Sequence, residues 1–189
     1  WGKDLTERGN LEWKDGYEFE RPVVKDNGEI EYILNDIEWK PNPNGRFEKV
    51  IGWMPKEPNK VFKKNGKFLP NNNYANRVGC DPFKYDKTKD VVRQSMGTGY
   101  VYWGFDPRVD SPDVSMDEWK TADFVCEYIN RPPTVEEYCE DMLMMSIFYS
   151  VEMYPEFNID HVKRHFTARG YSGYLKHGTK IKKKNGVTV

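Results

Sequence analysis

The chain reads as an α/β protein: a mixed β-sheet flanked by helices over residues 76–189, preceded by a β-rich connector over residues 1–75. Three observations predict this. The connector is rich in Asn, Gly, Pro and Trp, and its apolar runs are short and separated by Asn-Gly pairs. From residue 76 the pattern changes to three strand-like runs, an apolar helix, a further strand and a further helix. At 189 residues there is length for one full domain and a smaller appendage, with ample chain to bury a core.

In the connector, Asn27-Gly28 separates Arg21-Pro-Val-Val24 from Ile30-Glu-Tyr-Ile-Leu34, and Asn44-Gly45 separates Ile37-Glu-Trp39 from Phe47-Glu-Lys-Val-Ile51. Asn-Gly supplies the positive φ angles of a tight turn, so both pairs predict hairpins. Pro55, Pro58, Pro70 and the Asn71-Asn72-Asn73 run break regularity and mark a linker near 55–75.

Beyond it, Arg77–Cys80 reads as a buried strand that delivers Asp81 to its end, because Pro82 stops the ladder there. Gly99–Phe105 and Ala122–Ile129 read as the next two strands, with an acidic loop from Asp106 to Glu118 between them. Arg131-Pro132-Pro133 closes the third, and Thr134 with Glu137 makes a capping-box signature. In the helix that follows, Val135, Tyr138, Met142, Met145 and Tyr149 share a face. Leu143, Met144, Ile147 and Phe148 widen it until the last turns are apolar all round, with the methionines as core filler. Val151–Phe157 reads as a strand, Ile159–Arg169 as a helix stopped by Gly170, and Tyr171–Lys176 as an extended return. Three consecutive strands followed by a buried helix and another strand are the way ribonuclease-H-like sheets are assembled.

Charge and cysteine content narrow the function classes. The 29 basic and 30 acidic residues leave a net charge of −1, so total charge does not point to nucleic acid. Its distribution does. After Asp160 no acidic residue remains, while Lys163, Arg164, Arg169, Lys176, Lys180, Lys182, Lys183 and Lys184 are all cationic and are interleaved with Phe166, Tyr171 and Tyr174. This stretch is expected to contact phosphates, the alternative being a solvated basic tail. Cys80, Cys126 and Cys139 fit neither a zinc framework nor a disulfide scaffold and read as reduced thiols. No apolar run approaches the ~20 residues of a membrane span and no charged-then-apolar leader is present, so a soluble cytosolic protein is expected. Trp1 at the start and a strand-like Gly-Val-Thr-Val end suggest a piece of a longer polypeptide. His161 and His165, four apart on a helix, could supply half a metal site, but with no third ligand a solvent-facing helix edge is expected.

Several segments carry a family resemblance. Gly79-Cys-Asp-Pro-Phe-Lys-Tyr-Asp86, the strand ending Phe124-Val-Cys-Glu-Tyr-Ile-Asn-Arg-Pro-Pro133, the helix ending Ile147-Phe-Tyr149, Pro155-Glu-Phe-Asn158 and Arg169-Gly-Tyr-Ser-Gly-Tyr-Leu175 occur in an order that resembles the C-terminal nuclease half of phage terminase large subunits. Gly-Asn-Leu-Glu-Trp13 and Asn-Gly-Arg-Phe47 resemble the segment joining that nuclease to its packaging ATPase. The resemblance implies a ribonuclease-H-like fold and metal-dependent cleavage of concatemeric viral double-stranded DNA during genome packaging. It places metal ligands at Asp81 and Glu156, on the first strand of the domain and on the strand after the buried helix. Two Mg²⁺ or Mn²⁺ ions ~3.5–4 Å apart would activate water and stabilise the leaving oxygen. Asp86 matches a further acid of the first motif, as an outer-shell or third ligand, with a plain loop carboxylate as its rival reading, and Asn158 matches an amide beside the site. Glu152 is the rival to Glu156, and a plain Asp-Pro turn is the rival reading of Asp81. The family places another ligand aspartate beyond the Gly-Tyr-Leu segment.

There is no Gly-x-x-x-x-Gly-Lys-Ser/Thr phosphate loop, so a packaging role implies an ATPase domain elsewhere on the same polypeptide. The resemblance also implies portal and small-terminase partners and a host-cytoplasmic setting without a membrane. Two other readings keep the acids or the fold: a resolvase- or transposase-type nuclease, and a catalytically silent DNA- or portal-binding module.

Overall fold

The structure is a computed structural model that describes residues 6–14, 20–24, 30–34, 37–55, 58–59, 61–70, 76–83, 95–103, 123–156, 160–176, 183–184 and 187–188. The first half supplies β1 (Thr6–Trp13), β2 (Glu20–Val24), β3 (Ile30–Leu34), β4 (Ile37–Pro41), β5 (Phe47–Val50), β6 (Val61–Lys64) and β7 (Lys67–Pro70). The second half supplies β8 (Asn76–Asp81), β9 (Gly97–Trp103), β10 (Asp123–Asn130), helix α1 (Val135–Tyr149), β11 (Met153–Pro155) and helix α2 (His161–Ala168). A 3-10 turn over Ser172–Tyr174 follows, then the short pair β12 (Lys183–Lys184) and β13 (Val187–Thr188).

Seven strands form one mixed sheet in the order β11-β8-β9-β10-β5-β1-β4. β11 runs parallel to β8, and every other neighbouring pair is antiparallel. The chain is thus mixed α/β, with a seven-stranded sheet and, among the described residues, two α-helices. Strands from the connector and from the rest of the chain belong to this one sheet, because β5 pairs with β10.

β2 and β3 pair antiparallel as expected, with Val24 opposite Ile30, while the Asn27-Gly28 turn between them lies outside the described residues. The Asn44-Gly45 turn does not close a hairpin. β4 and β5 both pair with β1, one on each side, so Gly9 stands opposite Pro41 in one ladder and Phe47 in the other. The chain crosses β1 to get from one side to the other. Asn42 N–H donates to the Arg8 carbonyl at 2.9 Å, and Gly45 N–H donates to the Asn42 carbonyl at 2.8 Å. A Cβ on Gly45 would lie 2.3 Å from the Gly9 carbonyl oxygen, and one on Gly9 would lie 2.5 Å from the Trp39 ring. Two glycines let backbone pass over backbone. The turn signal is local, whereas the strand inserted between its arms comes from the start of the chain, where no local signal reports it.

The expected linker near 55–75 contains the β6–β7 hairpin. Asn65 (φ 51°) and Gly66 (φ 73°) form a two-residue turn between Lys64 and Lys67. This hairpin packs on the 3-10 turn: Phe68 stacks on Tyr171 with centroids 5.3 Å apart, and a Cβ on Gly173 would meet the Phe68 carbonyl at 2.2 Å. That packing also explains why Tyr171–Lys176 is not an extended return. Tyr171 and Tyr174 are both fully buried, a spacing of three that a 3-10 turn satisfies and a strand does not. Among the described residues only Leu175 of this segment bridges to a strand, meeting Met153 in the parallel sense.

Helix α1 begins where its capping box predicts. Glu137 N–H donates to Thr134 Oγ1 at 3.2 Å, and Thr134 N–H donates to Glu137 Oε2 at 3.3 Å. It ends on a left-handed Ser150 (φ 51°), with Val151 N–H donating to the Ser146 carbonyl at 3.0 Å. From Tyr138 to Tyr149 every residue except Glu140 is buried. The helix sits in notches on β9: a Cβ on Gly97 would meet the Tyr138 ring at 2.6 Å, and one on Gly99 the Met142 sulfur at 2.6 Å. Val78, Val101, Cys126, Tyr128 and Met153 complete the core on that side of the sheet. Helix α2 buries Val162 and Phe166 against this layer and stops before Gly170 (φ 85°). Among the described residues no helix is long and apolar enough to cross a membrane.

Replacing Gly99 by valine forces side-chain volume into the space of Met142. We expect Gly99→Val to lower stability by about 1–3 kcal/mol, measured by urea denaturation, with no change in the position of the far-ultraviolet circular dichroism minima.

Candidate functional site

Strand alternation decides where the two singled-out acids point. In β8, Val78 and Cys80 are buried toward α1, which leaves Arg77, Gly79 and Asp81 on the opposite face. Asp81 is the last residue of the strand, and it is exposed. In β11, Met153 is buried toward α1 and Tyr154 is exposed on the other face, so Glu156 returns to the face that carries Asp81.

The register then sets their distance. Met153, Tyr154 and Pro155 stand beside Val78, Gly79 and Cys80, and Glu156 N–H donates to the Cys80 carbonyl at 3.1 Å. Glu156 therefore follows on beside Asp81, on strands ~4.8 Å apart. Two carboxylates at neighbouring parallel strand ends are hard-oxygen donors that can share a divalent cation. Across the other ladder, Thr98 stands opposite Asp81.

Glu152 lies at the opposite end of β11, four positions or ~13 Å back along the strand, and its carboxylate is 3.3 Å from Lys176 Nζ. Asp86, Asn158, Lys180 and Lys182 lie outside the described residues, as do the side chains of Lys183 and Lys184. Among the described residues no three His, Cys, Asp or Glu side chains are grouped to hold a metal ion.

Of the cationic stretch, Lys163 and Arg164 are exposed on the first turn of α2, which starts shortly after Glu156. Arg169 is engaged elsewhere: its Nη1 donates to Glu140 Oε2 at 2.8 Å and its guanidinium lies 6.0 Å from the Trp13 ring centre. The interleaved aromatics Phe166, Tyr171 and Tyr174 are fully buried, so they belong to the core and not to a stacking surface.

His165 also departs from expectation. Its Nε2 is 2.7 Å from Glu140 Oε2, and the side chain is largely covered. Glu140 thus gathers three partners, since Trp13 Nε1 donates to its other oxygen at 2.9 Å. Burial pushes this carboxyl up, but the hydrogen bonds from His165 and Trp13 and the charge of Arg169 outweigh it, leaving Glu140 below the usual carboxylate range. These contacts tie α1 to β1 and α2. The three cysteines are buried free thiols, each pushed up to about 12 by burial, which makes them inert rather than nucleophilic.

Arg131 is the site candidate that sequence reasoning missed. β8 and β10 both run antiparallel to β9, so their ends lie at the same edge of the sheet. There the Arg131 guanidinium sits 3.9 Å from the ring centre of Phe83, just past Asp81, and its Nη1 donates to the Ser95 carbonyl at 2.6 Å. The Arg-Pro-Pro sequence signals a strand end but says nothing of that cation's placement.

Comparison with family models, curated proteins and solved structures returns no match to this chain.

The Glu140 cluster has a pH signature. A folded carboxyl lying below its unfolded value stabilises fully above the unfolded value near 4.5, and that contribution is lost as pH falls through the lower folded value. We expect Glu140→Gln to cost about 1–3 kcal/mol at pH 7, with the gap to the parent narrowing below pH 4.5 in urea titrations.

Proposed function

We propose that this chain is the nuclease portion of a phage terminase large subunit, a ribonuclease-H-like domain that cleaves viral double-stranded DNA by metal-assisted hydrolysis during packaging. The observation that carries the reading is the parallel seating of β11 on β8, which brings Glu156 beside Asp81 on the face away from α1. The order β11-β8-β9-β10, with an antiparallel meander, a crossover helix and a parallel return to the first strand, supports the ribonuclease-H-like assignment. The Leu175 bridge to Met153 extends the parallel edge further in the same sense. The resemblance described above turns this architecture into a function, since fold alone does not.

The donor set suits the metal. Asp81 and Glu156 offer hard oxygens at neighbouring strand ends, the chemistry that Mg²⁺ and Mn²⁺ accept. A bound divalent ion would supply Lewis-acid polarisation of a phosphodiester and a more acidic water. Asp86 is the proposed third ligand, with Asn158 beside it. Lys163 and Arg164, exposed on α2 close to Glu156 in the chain, are the proposed contacts to backbone phosphates, and Lys180, Lys182 and Lys183 extend that role, while Lys176 lies against Glu152 at the far end of β11. Arg169 drops out of the phosphate-binding set because Glu140 holds it. The proposed setting is the host cytoplasm, with a packaging ATPase domain on the same polypeptide and with portal and small terminase subunits as partners.

Nicking of supercoiled plasmid in Mn²⁺ tests the reading. Cleavage is expected to require metal and to fall on the order of a hundredfold or more in Asp81→Asn and Glu156→Gln, with Glu152→Gln cutting like the parent. Folded variants at Asp81 and Glu156 that cut as well as the parent, or no cleavage by the folded parent, would overturn it in favour of a binding module.

A further inference from the structure

The face of the sheet that bears the two acids also carries an aromatic row interrupted by one glycine. Tyr154, Gly79 and Tyr100 stand side by side on β11, β8 and β9, with their side-chain positions on the same face. Nothing in the backbone demands a glycine at residue 79. Its φ lies outside the left-handed region, and a Cβ there would meet only the Tyr154 carbonyl, at an ordinary 3.9 Å, among the described residues. A glycine in mid-strand weakens the strand and marks a bulge, a tight bend or the close approach of another group, and the β8–β9 register runs through Gly79 without a shift.

The gap has the dimensions of a flat ring. Adjacent strands are ~4.8 Å apart, so a ring lying over Gly79 would be about that distance from an aromatic ring on either side, within the range of stacked or tilted aromatic pairs. Tyr154 is 42% exposed and so available to one side. Tyr100 is braced from behind by Phe124, with centroids 5.7 Å apart, and Phe124 in turn contacts Tyr102 at 6.0 Å. Asp81 and Glu156 lie two positions further along the same two strands, ~7 Å away. That is about one nucleotide step from the slot.

We propose that Gly79 is the floor of a slot for one unstacked nucleobase of a locally unpaired DNA strand, held between Tyr154 and Tyr100 and adjacent to the phosphate presented to Asp81 and Glu156. The position of that phosphate rests on the nuclease reading. The slot itself does not require metal or cleavage. Base–aromatic stacking tolerates any sequence, so the site selects for an unpaired base and not for its identity.

Fluorescence anisotropy with labelled fifteen-nucleotide oligothymidylate, in EDTA so that no cleavage intervenes, tests the slot. The parent is expected to bind, and Gly79→Val, which fills the floor, to bind roughly tenfold or more weakly while melting no lower than the parent. Tyr154→Ala, at an exposed position, provides a second variant with the same expected loss. An oligonucleotide of abasic sites should bind the parent as weakly as oligothymidylate binds Gly79→Val. Absence of binding by the parent overturns the proposal, and so does equal binding by Tyr154→Ala or by the abasic strand. Metal-dependent nicking that persists alongside such a result leaves the nuclease reading standing and removes the slot alone.

Discussion

The candidate site depends on one piece of strand pairing. β11 is only three residues long, yet its parallel seating on β8 determines which acid stands beside Asp81. Parallel neighbours cannot be joined by a tight turn, so the chain must travel back along the sheet before β11 can form. Helix α1 makes that journey. Its 15 residues span ~22 Å at ~1.5 Å each, close to the ~20 Å of the six-residue strand β8. It starts at the edge where Asp81 and Arg131 lie and ends at the other, where Ser150 and Val151 redirect the chain.

The helix has to lie at a defined height and rotation for that pairing to hold. Gly97 and Gly99 set the height by admitting Tyr138 and Met142, and the Tyr138 hydroxyl donates to the Thr98 carbonyl at 2.7 Å. Rotation is fixed by two consecutive acids. Asp141 is buried and receives a bidentate pair from Arg46 at 2.8 and 2.7 Å, which joins α1 to the approach to β5. Glu140 joins it to Trp13, His165 and Arg169. Breaking either set would strand a charge in a covered position, which costs more than the pair contributes. The connector therefore helps hold the helix that delivers Glu156.

Sequence reading succeeds where the determining signal is local. Asp81 before a proline, the Thr134–Glu137 capping box, the apolar faces of α1 and the Gly170 stop are each written within a short stretch, and each appears where expected. It fails where the determinant is distant. Asn44-Gly45 gives a turn, but β1 lies between the strands it joins. Arg169 and the aromatics Phe166, Tyr171 and Tyr174 have the composition of a phosphate-binding surface, and His165 that of a solvent-facing helix edge. Partners as far off as Trp13, Phe68 and Glu140 turn them inward instead. Gly79 hides for a different reason: what distinguishes it is the tyrosine on each neighbouring strand, and Tyr154 arrives only after β9, β10 and α1 have intervened.

The most direct measurement is a crystal structure of the protein grown in Mn²⁺ with data collected at an X-ray energy where manganese scatters anomalously. The account predicts an anomalous peak at the shared end of β8 and β11, within coordinating distance of carboxylate oxygens from both Asp81 and Glu156. Saturating Mn²⁺ with no peak there, or a peak held by other side chains while these two carboxylates diverge, would contradict it.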